Sequence, residues 1–476
     1  MNLRKTEAYI GGQWISKAET FPVHNPYDNS LIVEVADCGQ AETQAAIEAA
    51  EVAFQTWRAK SAGGRAKVLR RWYELQMEHL DELAQLLTTE QGKPLAEAKG
   101  EIKYGASFVE WFAEEARRAY GDVIPSHARD KRITVIKQPV GVVGAITPWN
   151  FPHAMITRKV APALATGCTV VIKPSDFTPL SALALAALAE EAGFPPGVLN
   201  VVTAKNPVPV GDELTTNPKV KKISFTGSTR VGKMLLAKCA SQVKKVSLEL
   251  GGNAPFIVFA DADIDAAVDG CMASKFRNAG QTCICSNRIF VHRSVYDAFN
   301  EKLAAKINGL HVGNGLESGV EVGPMINLAA VEKSERLLQN AVDHGAKVLT
   351  GGKRGEGQFF EPTLVSEVQP EMDIFREEIF GPVAAIYAFN SEEEVIARAN
   401  DTQYGLAAYF FGRDYAQIWR VAEALEYGMV GINTGMISST VAPFGGVKES
   451  GFGREGSKYG MDDYLNIKYM CWGGVE

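Results

Sequence analysis

Short runs of β-branched and other apolar residues recur at a restrictive spacing in the first half of the chain. Five such runs are centred near residues 144, 171, 201, 224 and 247, so successive centres lie 27, 30, 23 and 23 residues apart. Each interval leaves room for one crossover helix, which is the rhythm of a parallel sheet built from βαβ units. In such sheets ligands bind beyond the carboxyl ends of the strands, so a functional site is expected there.

A second alternating series predicts a second α/β domain. Its strand-like runs are centred near residues 257, 290, 385, 410 and 431. Between residues 41 and 120, apolar residues recur with helical spacing, which predicts two or three long amphipathic helices. Segments 127–139 and 461–470 alternate polar and apolar residues as antiparallel edge strands do, and they predict an appended sheet that could pair between subunits.

The composition is that of a globular protein with two or three domains. The chain has 476 residues, of which 46% are hydrophobic, and this is too long for one ordinary core. A formal net charge of −7 provides no basic field for nucleic acid or an anionic membrane. Neither a signal peptide nor an apolar run of about 18 residues is present, so a cytoplasmic protein is expected. Scattered cysteines and histidines without CxxC or HExxH motifs predict free thiols and no metal site.

The segment KKISFTGSTRVGKM has the spacing of a phosphate-binding turn. Gly227 and Gly232 stand in a G-x-x-x-x-G-K pattern between a predicted strand and a predicted helix, where backbone N–H groups favour anions. The P-loop pattern requires Ser or Thr after the lysine to hold magnesium, and Met234 occupies that position. The motif alone leaves two interpretations open: a turn that binds a ligand, or a glycine-tightened connection without one.

Three polar segments contain the groups that an acyl-forming site needs. Cys283 lies in FRNAGQTCICSNR, a polar segment between a predicted helix and a predicted strand, whereas most other cysteines lie in apolar or helical runs. Glu249 ends a strand-like run next to a Gly-Gly pair, and Asn150 lies in TPWNFP after the first strand of the predicted sheet. Thiol, carboxylate and amide suit the roles of nucleophile, base and oxyanion stabiliser.

The order and separation of these motifs resemble the NAD(P)-dependent aldehyde dehydrogenase superfamily. TPWNFP, SLELGGNAP, NAGQTC and EEIFGPV follow one another, with 99 residues from Asn150 to Glu249, 34 to Cys283 and 95 more to Glu378. The resemblance extends from YIGGQW near the start to the GREGSKYGMDDYLNIKY tail. Within the superfamily, HAMITRK, FRNAGQTCICSNR and GMISSTVAPFGGVKESGFGREGSKYG are most similar to succinate-semialdehyde dehydrogenases.

The resemblance implies an α/β fold of the aldehyde dehydrogenase type. Such a fold has a Rossmann-type cofactor domain, a second α/β catalytic domain and a small antiparallel oligomerisation sheet. The NAD-binding domain would comprise residues 1–120 and 140–250, and the catalytic domain residues 251–450. Residues 121–139 and 451–476 would be the oligomerisation segments of a homodimer or homotetramer.

The resemblance also implies a reaction and a role for each polar group. Cys283 would attack an aldehyde, and the Asn150 amide together with the Cys283 backbone N–H would hold the oxyanion. After hydride transfer to the nicotinamide, Glu249 would act as general base in hydrolysis of the thioester. Relatives that transfer the acyl group to coenzyme A generally lack this glutamate, so Glu249 favours hydrolysis.

Cofactor contacts are implied for eight positions, with Lys173 and Glu378 on the ribose hydroxyls and Ser228 on the pyrophosphate. The eight residues are Trp149, Lys173, Asp176, Gly227, Ser228, Gly232, Glu378 and Phe380. Asp176 stands where relatives that prefer NAD carry an acidic residue, and a carboxylate repels a 2′-phosphate. The expected cofactor is therefore NAD, with NADP possible.

A carboxylated aldehyde is the implied substrate. In the semialdehyde enzymes two arginines and a serine bind the distal carboxylate, and the matching residues here are Arg158, Arg277 and Ser438. A guanidinium pairs bidentately with a carboxylate, so two of them would select succinic semialdehyde over an apolar aldehyde. Ordinary salt bridges for the arginines are the alternative. The product would be succinate, and the resemblance suggests a role in 4-aminobutyrate degradation.

Several interpretations remain open at the level of sequence. Cys285 either fills space or forms a regulatory disulfide with Cys283 under oxidation. The substrate could instead be glutaric or 2-oxoglutaric semialdehyde, because a methylene changes discrimination by only ~1–3 kcal/mol, and a broad-specificity aldehyde dehydrogenase is a further possibility. A nucleotide-binding protein that uses the turn at 227–233 is the alternative from a different class.

Overall fold

The computed structural model describes residues 2–475. Its strands, in chain order, are β1 (Ala8–Ile10), β2 (Gln13–Ile15), β3 (Thr20–His24), β4 (Leu31–Ala36), β5 (Asp122–Ile124), β6 (Lys131–Pro139), β7 (Val142–Ile146), β8 (Thr169–Lys173), β9 (Leu199–Val201), β10 (Val220–Thr226), β11 (Lys245–Glu249), β12 (Ala254–Val258), β13 (Ser286–His292), β14 (Lys347–Thr350), β15 (Thr363–Ser366), β16 (Val383–Phe389), β17 (Ala407–Phe411), β18 (Met429–Ile432), β19 (Gly451–Phe452) and β20 (Leu465–Gly473).

Helices precede, connect and flank these strands. They are α1 (Gln40–Ala59), α2 (Ala62–Glu78), α3 (Leu80–Gln91), α4 (Leu95–Glu115), α5 (Pro152–Thr166), α6 (Pro179–Glu191), α7 (Pro207–Thr216), α8 (Thr229–Ala240), α9 (Ile264–Lys275), α10 (Tyr296–Asn308), α11 (Leu328–Asp343), α12 (Asp373–Arg376), α13 (Glu392–Asn400) and α14 (Tyr415–Ala424). None of the helices within residues 2–475 is both long enough and apolar enough to cross a membrane.

The five runs predicted between residues 140 and 250 form the parallel centre of an eight-stranded sheet. Its strand order is β19-β11-β10-β7-β8-β9-β1-β2, and β7 to β11 run parallel with a helix in each connection. From β7 the chain first builds the sheet towards β9 and then returns to add β10 and β11 on the other side. Because the order reverses between β7 and β10, a crevice is expected beyond the carboxyl ends of these two strands.

A seven-stranded sheet contains the second predicted series. Its order is β14-β15-β16-β13-β12-β17-β18, and all neighbours are parallel except β14 and β15. The predicted runs became β12, β13, β16, β17 and β18. The sequence interpretation missed β14 and β15, because each has only four residues and lacks a long apolar run. The α/β fold class, with two largely parallel sheets, is confirmed.

The helical layer at residues 40–115 has four helices, where the sequence predicted two or three. Local chemistry sets the breaks between them. The Ser61 hydroxyl accepts a hydrogen bond from the Gly64 N–H at 3.2 Å and so begins α2. Gly92 follows α3 with φ of 93°, a left-handed conformation that glycine adopts without strain. The resulting turn carries Lys93 into the protein interior, where its side chain is fully buried.

The two stretches predicted as antiparallel edge strands pair with each other inside one chain. Strand β20 runs antiparallel to β6 over its whole length, from Leu465 opposite Pro139 to Gly473 opposite Lys131, and β5 joins on the other edge of β6. Several large apolar side chains of this sheet are exposed, including Ile467 at 75%. Residues 451–452 depart from the predicted division of the chain, because as β19 they join the eight-stranded sheet beside β11.

Candidate active site

Cys283 lies between two cavities. It contributes to the wall of one cavity of about 280 Å³ and to the wall of a second of about 290 Å³. The residue is half-buried, and burial raises the pKa of its thiol to about 12, an effect that the positive charge of Arg158 partly offsets. A thiol that borders two cavities can be reached by two different ligands at once.

The segment before Cys283 has an unusual backbone. Asn278 and Ala279 have φ of 52° and 54°, in the left-handed region, and Gly280 follows with φ of 74°. A Cβ on Gly280 would lie 2.2 Å from the Gly381 carbonyl oxygen, so only glycine fits this approach. The Gln281 side chain then accepts from the Ile326 N–H at 2.9 Å. These contacts fix the loop that presents the thiol.

Asn150 lies in the connection between β7 and α5, at the switch point of the eight-stranded sheet. Its side chain shares the wall of the 290 Å³ cavity with Cys283. The Asn150 Nδ2 group donates to the Gln281 carbonyl at 3.1 Å, which leaves its second N–H for another acceptor. The main-chain carbonyl oxygen of Asn150 accepts hydrogen bonds from Lys93 Nζ at 2.7 Å and from Asn278 Nδ2 at 3.0 Å.

Glu249 is the last residue of β11 and is buried, with Oε2 free of hydrogen-bond partners among residues 2–475. Burial and the negative charge of Glu455 raise its pKa well above the usual value. Glu455 is a residue that the sequence interpretation missed. Its carboxylate forms ion pairs with both Arg158 and Lys159, which hold its pKa below the usual range despite burial. The site therefore contains two buried carboxylates whose pKa values are pushed in opposite directions.

The 290 Å³ cavity brings together several of the residues that were predicted to contact the cofactor. Five of the eight line it: Trp149, Gly227, Ser228, Glu378 and Phe380. A Cβ on Gly251 would lie 3.0 Å from Glu378 Oε2, so the glycine keeps space open beside this carboxylate. Burial raises the pKa of Glu378 to about 7. Gly251 belongs to the Gly-Gly pair that the sequence analysis noted beside Glu249, whereas Lys333 on this wall was missed.

Ser228 begins α8 as its N-cap, with a hydroxyl that accepts from the Val231 N–H at 3.4 Å. Gly232 lies in the same helix but not on the wall of this cavity. A Cβ on Gly232 would lie 2.5 Å from Leu250 Cδ2, so this glycine allows α8 to pack closely against the end of the neighbouring strand. The turn at 227–233 thus combines an open helix N-terminus with tight packing.

Lys173 and Asp176 lie away from the 290 Å³ cavity. Lys173 ends β8 and is buried, which lowers its pKa, whereas the Asp176 charge acts in the opposite direction. Asp176 borders a third cavity of about 510 Å³, together with Lys205. The Lys205 Nζ lies 2.9 Å from Asp176 Oδ2, so the carboxylate already has a cationic partner. The sequence interpretation missed Lys205.

The 280 Å³ cavity brings together Arg158, Arg277 and Ser438. The two arginines differ in their surroundings. The guanidinium of Arg158 is buried, paired with Glu455 and stacked 4.0 Å from the Phe444 ring centre. Arg277 forms no ion pair with any residue from 2 to 475, and its Nε is buried with no hydrogen-bond partner.

Tyr104 lines the same cavity and was missed by the sequence interpretation. Its hydroxyl is buried with no hydrogen-bond partner within residues 2–475. Burial raises the pKa of Tyr104, so at neutral pH the hydroxyl retains its proton and can donate it in a hydrogen bond. The wall also includes Glu97 and Glu101, of which Glu101 is paired with Lys93, so the two guanidinium groups and the phenol are the groups that suit the anionic end of a ligand.

Cys285 is buried and lines neither cavity beside Cys283. Its thiol donates to the Lys275 carbonyl oxygen at 3.3 Å. Burial raises its pKa, so it is less reactive as a thiol than its spacing from Cys283 alone would suggest.

The fold and this site define a class of oxidoreductases: the chain belongs to the aldehyde dehydrogenase family, whose model matches residues 14–470. The glutarate-semialdehyde dehydrogenase of Pseudomonas aeruginosa is 59% identical over 477 residues and covers 99% of each chain. The NADP(+)-dependent succinate-semialdehyde dehydrogenase of Escherichia coli is 58% identical over 99% of this chain and 98% of its own. An aldehyde dehydrogenase crystal structure from Brucella melitensis biovar abortus has a TM-score of 0.99 at 57% identity, covering 100% of this chain and 98% of that one.

Proposed function

We propose that the protein oxidises succinic semialdehyde to succinate with NAD. The position of Cys283 carries this proposal, because the thiol borders one cavity with two arginines and a second cavity with the expected cofactor residues. An aldehyde whose distal carboxylate meets Arg158 and Arg277 would place its reactive end near the thiol. In this scheme the unit around the eight-stranded sheet binds the cofactor, and the unit around the seven-stranded sheet supplies Cys283.

The first chemical step is addition of the Cys283 sulfur to the aldehyde carbon. With its pKa raised to about 12, the thiol holds its proton at neutral pH, so a base must remove it. Glu249 is suited to this task, since its own pKa is raised and its charge acts on the thiol. The carbonyl oxygen becomes an oxyanion, which the free N–H of Asn150 Nδ2 and the Cys283 backbone N–H stabilise.

The second step converts the adduct on Cys283 to a thioester. A bound NAD molecule supplies the hydride acceptor for this oxidation. The hydride leaves the former aldehyde carbon as the oxyanion reforms the carbonyl. Before hydrolysis, Glu249 releases to solvent the proton that it took from the thiol. Water then attacks the thioester, Glu249 takes a proton from this water, and the carbon–sulfur bond breaks as that proton passes to the Cys283 sulfur. One aldehyde, one water and one NAD thereby give the carboxylic acid, NADH and a proton.

Cofactor preference rests on the charges at Asp176. Its carboxylate would accept a hydrogen bond from a ribose 2′-hydroxyl and repel a 2′-phosphate, which favours NAD. Lys205, paired with it at 2.9 Å, weakens that repulsion and would attract the phosphate, so NADP is the secondary cofactor. Replacing Lys205 with Ala should therefore raise the ratio of kcat/KM with NAD to that with NADP. An unchanged ratio would contradict this assignment.

The main alternative is the same reaction on a longer carboxylated aldehyde. The 59% identity to a glutarate-semialdehyde dehydrogenase makes glutaric semialdehyde the first alternative substrate. 2-Oxoglutaric semialdehyde also has an aldehyde at one end and a carboxylate at the other. The arginine pair would serve all three substrates, and one methylene changes binding by only ~1–3 kcal/mol. A broad-specificity enzyme is less consistent with two guanidinium groups in a small cavity.

Assembly and cellular role extend the same proposal. Exposed apolar residues on the three-stranded sheet, such as Val123 and Ile467, would be covered in a homodimer or homotetramer. We further propose that the protein is cytoplasmic and acts in 4-aminobutyrate degradation. Light scattering at several protein concentrations would test the assembly, and a monomer at all of them would contradict it.

The decisive experiment is formation of reduced cofactor by the purified, reduced protein. The panel comprises succinic, glutaric and 2-oxoglutaric semialdehydes, propanal and benzaldehyde, each with NAD and with NADP. The expected result is the highest kcat/KM for succinic semialdehyde with NAD, and no turnover by a Cys283→Ser control. Fastest turnover of an uncharged aldehyde would refute the proposed substrate class.

A further inference from the structure

A fully buried ion pair lies beneath the loop that carries Asn150. Lys93, in the turn between α3 and α4, places its Nζ 2.6 Å from Oε2 of Glu101 in α4. The two side chains are 0% and 1% exposed. Neither residue lies within the catalytic motifs of the sequence, and the proposed reaction assigns no chemical step to either.

The interactions of this ion pair converge on residues 150–154. Lys93 Nζ also donates to the Asn150 carbonyl oxygen at 2.7 Å and lies 3.8 Å from the centre of the Phe151 ring. The other carboxylate oxygen of Glu101 accepts from the backbone N–H groups of His153 at 3.0 Å and Ala154 at 3.2 Å. The pair therefore contacts the main chain on both sides of Phe151, at Asn150 and at residues 153–154.

Glu101 also completes the beginning of α5. The N-cap residue of this helix is Phe151, whose side chain cannot accept a hydrogen bond from the first turn. The carboxylate of Glu101 takes over that role, and a negative charge is favoured at a helix N-terminus. Helix α5 begins two residues after Asn150, so the start of the helix and the position of the amide are fixed together.

A buried ion pair contributes little net stability, because desolvation offsets most of the attraction and an apolar pair of similar volume often serves as well. Precise placement of the main chain is what the apolar pair could not provide. We propose that Lys93 and Glu101 are positioning residues, which hold the main chain of Asn150 so that its side-chain amide meets the oxyanion formed on Cys283. This inference rests on the proposed function.

The test is a double-mutant cycle between the ion pair and Asn150. The pair variant combines Lys93→Met with Glu101→Gln, which removes both charges while the glutamine oxygen can still accept from the first turn of α5. A misplacement of the oxyanion donor should lower kcat/KM roughly 10- to 100-fold, mainly through kcat. Asn150→Ala alone should lower it by about 100-fold or more. Lys99→Met is the matched control, because it replaces a lysine of α4 whose ion pair with Asp81 lies at the surface.

Non-additivity is the result that supports the inference. In the Asn150→Ala background, the pair variant should cause less than a twofold further loss, because the donor that it misplaces is already absent. Equal losses in the two backgrounds would overturn the inference, as would a pair variant with the parental kcat. Alkylation of Cys283 by iodoacetamide forms no oxyanion, so its rate should be the same in the parent and the pair variant.

Glu101→Asp provides a second cycle if the pair variant does not fold. It keeps both charges but withdraws the carboxylate by one methylene, and its loss of kcat should also disappear in the Asn150→Ala background. The cycles use whichever aldehyde the parent oxidises fastest. An active parent with additive losses refutes this inference alone, whereas a parent that oxidises no aldehyde refutes the proposed function and this inference with it.

Discussion

The two arginines of the 280 Å³ cavity should respond differently to replacement by leucine. Arg277 has no ion-pair partner within residues 2–475, so Arg277→Leu breaks no ion pair, although it removes a positive charge that lowers the pKa of Glu97. Loss of its charge-assisted contact with a substrate carboxylate should cost roughly 2–3 kcal/mol, which corresponds to about a 30- to 160-fold decrease in kcat/KM. Propanal has no carboxylate, so its kcat/KM should change by less than about threefold.

Arg158→Leu should combine a substrate effect with a loss of stability. This change removes one of the two cations paired with the buried Glu455 and leaves only Lys159. Breaking such a buried pair typically costs about 3 kcal/mol or more, so the thermal unfolding temperature should fall, whereas that of Arg277→Leu should not.

The assay compares kcat/KM for succinic semialdehyde and propanal in both variants, together with thermal unfolding. Arg277→Lys keeps the positive charge and is the matched control, which should retain part of the discrimination. Equal losses for the two aldehydes in Arg277→Leu would refute the role assigned to this arginine. An Arg158→Leu variant as stable as the parent would refute the structural role of its ion pair.

Three further outcomes are expected. Glu455→Gln removes a negative charge that raises the pKa of Glu249. Because Glu249 must be ionised to act as a base, the acidic limb of the pH profile of kcat should move to lower pH, and an unchanged profile would show that the Glu455 charge does not control the pKa of this base. Gly232→Ala places a Cβ 2.5 Å from the Leu250 side chain and should lower the free energy of unfolding by roughly 1–3 kcal/mol. Denaturant unfolding measures this change, and Gly100→Ala, whose Cβ would have no neighbour within 4 Å, is the control. If Cys285 pairs with Cys283 under oxidation, Cys285→Ala should abolish the recovery of peroxide-treated enzyme with reductant; equal recovery in parent and variant would exclude the switch.

Local patterns of the sequence predicted the strands well because strand formation depends on short runs of residues. β-Branched residues at regular intervals were enough to predict the five runs that form β7 to β11. The division of the helical layer was harder, because apolar residues keep their helical spacing on both sides of the break, where the left-handed φ of 93° at Gly92 and the following Pro94 separate α3 from α4. Strands β14 and β15 were missed for a similar reason, since four residues carry too little periodicity.

Among the site residues, those within distinctive motifs could be predicted, and those recruited from elsewhere could not. Cys283, Asn150 and Glu249 each stand in a segment of recognisable polarity, and the family resemblance supplied their roles. Glu455 lies 296 residues from Lys159, and no spacing in the sequence connects them. No spacing in the sequence connects Lys205 with Asp176 either, although the structure pairs their side chains.

By itself, the sequence determined the fold class and the enzyme family and predicted Cys283 as the nucleophile, because these depend on periodicity and on motifs that are contiguous in the chain. Only the tertiary structure decided which charges meet. It paired Arg158 with Glu455, left Arg277 without an ion-pair partner in the described part of the chain and buried Lys93 beside Asn150. The physical reason is that the interaction energy between two charges and the pKa of a carboxylate depend on burial and on neighbours within a few ångströms. Burial and neighbours are set when distant segments of the chain fold against one another.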